Sequence, residues 1–416
     1  MIYLDHAAAT PVSRKVFEAM EPYFLSDFFN PSAAYLPAKK VAADYEAAKA
    51  TIAHAIGAKT SDLVITAGAT EANNLAFTAI NARGRVGDFS GTGVAPARRY
   101  GRSAPSFSVV TSGHPLKIPT RPRILYLVTE HDSVRRVAEQ YGGEAIRVLP
   151  SGLIDLDDLK TKITDETELI SISLANNELG TIQPLAEVAG IIREAKIDRM
   201  KRGIKTQLLL HSDASQALNL LDINVARLGV DLLTLNAAKI YGPKGVGALY
   251  VSHDTKLKPL TMGGGQEKGL RSGTENVPGV IGFAKATELA KEHLNGNRKK
   301  YASWRKILLS ELQGCEIINK KHTLDNFVVL CYNGIDAERL IFLLEEKGVY
   351  VATGAACAAS KGRKSHVLKA IGLSDAQIAG SLRISLGETN TDEQIHEAAE
   401  IINSVVQSEY ERIRHA

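Results

Sequence analysis

Lys239 ends the stretch Leu232-Leu-Thr-Leu-Asn-Ala-Ala-Lys239, an apolar run of the kind that forms a buried strand. An amine carried into such surroundings is costly to desolvate unless it has chemical work. Four other apolar runs end in reactive or hydrogen-bonding groups. Residues 63–66 lead into Ala67-Gly-Ala-Thr70 and a helical stretch over 71–80, and residues 124–128 into Thr129-Glu-His131. Residues 169–174 precede Asn176-Asn-Glu178, and residues 207–211 precede Ser212-Asp-Ala-Ser-Gln216. Ligands of open α/β sheets bind beyond the carboxyl ends of the strands, so these turns are expected at one rim.

The set is chemically coherent. It offers an amine (Lys239), a carboxylate (Asp213), a flat imidazole (His131) and a small-residue loop opening a helix at Ala69 and Thr70. Free N–H groups at such a helix start suit a phosphate. Pyridoxal 5'-phosphate needs these four things: a Schiff-base amine, an acid for its ring nitrogen, a cover for its face and an anion cradle.

The motifs Tyr3-Leu-Asp-His-Ala-Ala-Ala-Thr-Pro11, Asn30-Pro-Ser32, Gly68-Ala-Thr-Glu-Ala-Asn-Asn74, Thr129-Glu-His131, Asn176-Asn-Glu-Leu-Gly-Thr-Ile-Gln-Pro184, Lys239-Ile-Tyr-Gly-Pro-Lys-Gly245 and Arg271-Ser-Gly-Thr274 occur in order along the chain. Together they resemble the NifS/IscS-type cysteine desulfurases of the class-V aminotransferase family. The resemblance implies that Lys239 carries the cofactor, Asp213 pairs with its ring nitrogen, and His131 stacks on the ring and moves protons. It further implies that Asn177 and Gln216 bind the ring-hydroxyl side and that Ala69, Thr70, Asn236 and Ala238 border the phosphate. Thr274 would reach the phosphate of a second subunit, and Arg383 would hold the substrate carboxylate together with Asn177. For Arg383 a strand-end salt bridge is the alternative reading.

The sequence departs from the family at three places. Asn236 and Ala238 stand where a serine and a histidine are usual, and Tyr35 stands where a histidine often follows Asn-Pro-Ser. Ala238 has no side-chain donor, so part of the phosphate binding is expected to be lost, each missing charged hydrogen bond costing about 1.5–3 kcal/mol.

Cys357 lies in Ala352-Thr-Gly-Ala-Ala-Cys-Ala-Ala-Ser-Lys-Gly-Arg-Lys364, a small-residue and basic stretch in which Lys361, Arg363 and Lys364 would favour a thiolate. By the resemblance, this thiol takes sulfur from L-cysteine, releases L-alanine and carries a persulfide to an iron–sulfur scaffold or a sulfur-carrier protein for cluster assembly or tRNA thiolation. No resident metal is implied, only a transient hold by Cys357 on a cluster shared with such a partner. Cys331 continues an apolar run and Cys315 follows a helix end, which reads as structural for both.

Elements must position these groups. Alternation of short apolar runs with helical stretches predicts an α/β fold: the type I fold of pyridoxal-phosphate enzymes, a large domain around a mainly parallel seven-stranded sheet plus a smaller α+β C-terminal domain. The expected division is 1–15 with the small domain, 16–260 as the large domain with a loop insertion at 84–122, and 261–416 as connecting helix and small domain, the cysteine loop at 353–364. Helices are expected over 39–56, 280–294, 299–312 and 337–347, and a closing helix begins at the cap Thr391.

Composition excludes several classes. With 416 residues, 44% hydrophobic and 23% charged, the chain is neither disordered nor fibrous. A net charge of +4 gives no reason to invoke nucleic acid or a membrane surface, and the arginines of the 84–122 stretch (Arg85, Arg98, Arg99, Arg102 and Arg121) lack interleaved aromatics. Three cysteines and an acidic start to the chain fit a reducing cytoplasm. A homodimer is expected through Thr274. The alternatives are another reaction on the same scaffold, such as a selenocysteine lyase or racemase, and a non-catalytic homologue with a weakened cofactor site.

Overall fold

The strand Leu209–Asp213 is buried at every position, as are Leu63–Thr66 and most of Arg123–Leu127. Continuous burial of this kind requires a sheet covered on both faces. The computed structural model describes residues 1–80, 123–354 and 364–415. In it, a seven-stranded sheet runs in the order Leu63–Thr66, Gly247–Val251, Leu232–Asn236, Leu209–Asp213, Thr167–Ser171, Arg123–Leu127, Glu144–Ile146. Gly247–Val251 is antiparallel to both neighbours and the remaining pairings are parallel. The strands that precede the reactive turns therefore end at one edge, with Asp213 and Asn236 as the last residues of theirs.

Two smaller sheets complete the β-structure of the described residues. Phe327–Cys331 and Ser381–Ser385 pair antiparallel at the centre of a four-stranded sheet with Ala352–Thr353 and Glu316–Ile317. Ile2–Tyr3 pairs with Val349–Tyr350, and Asp5 bridges Ser385, so the start of the chain is held by its last third. One hydrophobic cluster joins Leu210 and Leu235 of the large sheet to Phe327 and Ile384 of the smaller one.

Helix ends follow local chemistry. Leu36–Ala55 stops before Gly57, whose φ of +71° suits glycine, and Asp392–Arg414 starts at Thr391, whose hydroxyl accepts from Gln394 N. Two expectations change. The separate helices expected at 280–294 and 299–312 are one helix, Val277–Glu311, because Asn297 inside the polar interruption is buried and donates to Glu388 at 2.8 Å. The three-residue strand Glu144–Ile146, too short to show a period, adds an edge that the apolar pattern does not announce.

Candidate active site

A cleft of about 410 Å³ opens at the carboxyl edge of the seven-stranded sheet. Ala69, Thr70, His131, Asn177, Asp213, Gln216, Asn236, Ala238, Lys239 and Arg383 all border it. Thr274 does not; it is exposed, on the segment that precedes the long helix. Cys357 and the 84–122 stretch lie outside the described residues.

The acid side is built by a hydrogen-bond chain. Asp213 is buried, and its two oxygens accept from Asn73 Nδ2 at 2.7 Å and Ser215 N at 2.8 Å. Asn73, fully buried in the helix Ala69–Ala76, also donates to Ser133 Oγ at 2.8 Å, and Ser133 Oγ lies 2.9 Å from His131 Nδ1. His131 caps the helix Asp132–Gln140, its Nδ1 accepting from Ser133 N at 3.1 Å. A ring nitrogen that accepts from a backbone amide carries no proton, so the imidazole proton sits on Nε2. Asn73 and Ser133 were not singled out in the sequence; a buried asparagine among Ala72, Leu75 and Ala76 is the signal that could have found the first.

The amine side is closed by the start of the chain. Lys239 Nζ donates to Ala7 O at 2.9 Å and to Ala8 O, and Gln216 Nε2 donates to Ala7 O at 3.0 Å. Thr10 Oγ1 donates to Ala238 O and accepts from Tyr241 N, which fixes the backbone on either side of Lys239. Asn236 Oδ1 accepts from Ala238 N at 3.2 Å, so its carbonyl serves the turn and its amide N–H group is the part left for a ligand.

At the anion side, the helix Ala69–Ala76 begins at Gly68, whose φ is +135°, without a side-chain cap. The start of this helix thus faces the cleft with its backbone donors open. Gly247 allows the approach: a Cβ there would stand 2.8 Å from the backbone of Gly68. Glu71 braces the loop, accepting from Ala67 N at 2.7 Å and pairing with Arg271 at 3.0 Å.

Arg383 is buried and already engaged, with Nη2 2.6 Å from Asp5 Oδ1 and Nη1 2.9 Å from Asn177 O. The salt bridge of the alternative reading is therefore present, and it leaves Arg383 Nε without a partner at the cleft. Glu130, missed as a site residue, also borders the cleft and is fully buried. The residues that follow Cys357's stretch are tied to the site: Ser365 Oγ donates to Glu178 Oε2 at 2.5 Å, and His366 Nε2 to Glu130 O at 3.0 Å.

These residues fit pyridoxal phosphate. Buried Ser173 Oγ, Ser215 Oγ and Arg383 Nε border the cleft unpartnered, the open helix start suits an anion, and an amine and a hydrogen-bonded carboxylate face the same space. Burial pushes the Cys331 thiol up to about 11 and raises that of Cys315, so neither offers a thiolate. Among the described residues no cluster of His, Cys, Asp and Glu could hold a metal ion, and no helix is long and apolar enough to cross a membrane.

Comparison with known proteins agrees with this geometry. Residues 2–88 and 101–397 match the family model described as aminotransferase class-V. A cysteine desulfurase IscS of Methanosarcina thermophila is 36% identical, covering 98% of this chain and 92% of the relative. Among solved structures, a NifS-like protein superposes with a TM-score of 0.82 at 28% identity over 98% of this chain and 99% of its own. A structure described as SspA in complex with cysteine gives 0.74 at 29% identity, covering 93% and 99%.

Proposed function

The chain belongs to the class-V aminotransferase family, and from that premise we propose that it is a cysteine desulfurase, taking sulfur from L-cysteine and releasing L-alanine. The convergence of Lys239, Asp213, His131 and the helix start at Gly68 on one cleft carries this reading. Pyridoxal 5'-phosphate would be held by Lys239 through its aldehyde, by Asp213 at its ring nitrogen, by Asn177 and Gln216 near its hydroxyl and by the N–H groups around Ala69 and Thr70 at its phosphate. When bound, it supplies an electron sink for the substrate carbon.

The chain's own residues do the rest. Arg383 Nε, with its other nitrogens fixed by Asp5 and Asn177, is a pre-oriented donor for the substrate carboxylate. His131 presents Nε2–H to the cleft, held by Ser133. Lys239 leaves the carbonyls of Ala7 and Ala8 to engage the cofactor. Cys357 attacks the substrate sulfur as a thiolate; an S–S bond forms as the Cβ–S bond breaks, the carbon keeps the electron pair and takes up a proton, and Cys357 holds a persulfide. An iron–sulfur scaffold or sulfur carrier is the expected acceptor, in a reducing cytoplasm.

We read the chain as the two domains bounded as above and as a homodimer, in which the exposed Thr274 completes the phosphate site of the second copy. The relatives' names favour neither the lyase or racemase alternative nor a non-catalytic one. The test is direct. The purified chain with pyridoxal phosphate should absorb in the visible, and Lys239→Ala should abolish the band. After L-cysteine, peptide mass analysis should find added sulfur on Cys357, and Cys357→Ser should keep the colour but release no alanine. A colourless wild type overturns the cofactor reading; sulfur release by Cys357→Ser overturns the persulfide route.

A further inference from the structure

Two acids face the same buried space in this cleft. Glu130 Oε1 accepts from Ser173 N, and the next amide along, Leu174 N, donates to Asp213 O at 2.9 Å, so the two residues sit against one short piece of backbone. Their surroundings differ. The carboxylate of Asp213 takes two donors, Asn73 Nδ2 and Ser215 N, whereas Glu130 Oε2 is buried with no partner. The groups around Glu130 bring it no matching positive charge. The neighbouring His131 is held as a neutral ring, His366 gives its Nε2–H to the Glu130 carbonyl, Lys239 is bonded to Ala7 and Ala8, and Arg383 to Asp5 and Asn177. The charge that faces Glu130 is that of Asp213.

Two carboxylates sharing a buried site cannot both ionise cheaply, and the one with more donors keeps the charge. We propose that Glu130 is a positioning residue that holds its proton in the folded chain, so that the negative charge of the pocket is concentrated on Asp213. Loss of that proton would place a second anion against Asp213 and raise its own affinity for a proton, weakening it as partner of a protonated ring nitrogen. Burial first, and Asp213 second, push the Glu130 carboxyl up to about 8, while burial lowers His366 and keeps it neutral. The role toward Asp213 rests on the cofactor reading above; the protonation itself does not.

The cofactor-free chain is therefore the material for the test. Infrared spectra of wild type minus Glu130→Gln near neutral pH should show the carbonyl stretch of a protonated carboxylic acid, fading with a midpoint near 8. Glu178, which burial raises to about 7, is the other such acid among the described residues, and Glu178→Gln assigns its band. A carboxylate band in place of the acid band in the Glu130 difference overturns the proposal. Because the folded pKa of Glu130 is raised, the stabilisation is present at acid pH and lost as pH rises from the unfolded value of about 4.5 to about 8. Wild type should thus lose thermal stability relative to Glu130→Gln across that window, and parallel profiles also overturn the idea. Should Glu130→Gln not fold, the wild-type spectrum alone decides: either an acid band titrates near 8 after the Glu178 band is gone, or it does not. Addition of pyridoxal phosphate then separates the two readings, since an acid band in a chain that stays colourless sinks the cofactor assignment and leaves the protonated Glu130 standing.

Discussion

Asn73 holds two functional groups with one amide, donating to the Asp213 carboxylate and to the hydroxyl that orients His131. Asn73→Ala removes a charge-assisted hydrogen bond in a buried site, a loss of about 1.5–3 kcal/mol, or roughly tenfold or more in kcat/KM. Steady-state alanine release measures it, and a value within twofold of wild type would show that Ser215 N alone suffices for Asp213. At this scale the sequence was informative wherever a polar group stood directly after an apolar run, as with Asp213, His131 and Lys239. It was silent about Asn73 and Ser133, whose partners sit on elements 60 to 140 positions away. Glu130 was in plain view within Thr129-Glu-His131, but nothing in the motif tells that its side chain turns inward.

The helix Leu36–Ala55 and the edge strand Leu63–Thr66 are tied to the segment carrying Arg271 and Thr274 by one buried carboxylate. Glu267 accepts from Tyr45 Oη at 2.6 Å, Lys49 Nζ at 2.9 Å and Ile65 N at 2.9 Å, and it does so from a backbone with φ of +49°. The Lys49 and Glu267 side chains are 9% and 5% exposed, so the pair is screened little by water. Glu267→Gln keeps the shape and leaves the ammonium uncompensated, which should cost about 3–5 kcal/mol in urea unfolding. A change under about 1 kcal/mol would mean that water reaches Lys49. Strands and most helices were legible because their apolar periods are local. The long helix Val277–Glu311 was read as two because Asn295, Gly296 and Asn297 look like a break until Glu388, far along the chain, supplies a partner for Asn297.

For the molecule as a whole, the residues before the first long helix leave large apolar groups in water: Phe24 is 58% exposed, Phe28 66% and Leu36 80%. Side chains of this size grouped in one segment mark a surface that another chain covers. Pro31 and Ser32 line a cavity with Glu267 and Lys268, which places this segment beside the one that leads to Thr274. Sedimentation velocity should give twice the chain mass, and Phe28→Glu should shift the protein toward monomer while weakening phosphate-dependent retention of the cofactor. A monomeric wild type would remove the role proposed for Thr274.

The contacts that cradle Lys239 come from Ala7, Ala8 and Thr10, and the stretch that carries them is anchored through Ile2 to Val349 and through Asp5 to Ser385. Translation delivers these partners in the opposite order, the short leading segment emerging long before the strands that secure it. Contacts of such wide sequence separation close late. The pocket around the lysine therefore reaches its finished shape only as the ribosome nears the end of the message, and a nascent chain stalled before residue 349 would expose the amine without its lid of carbonyls.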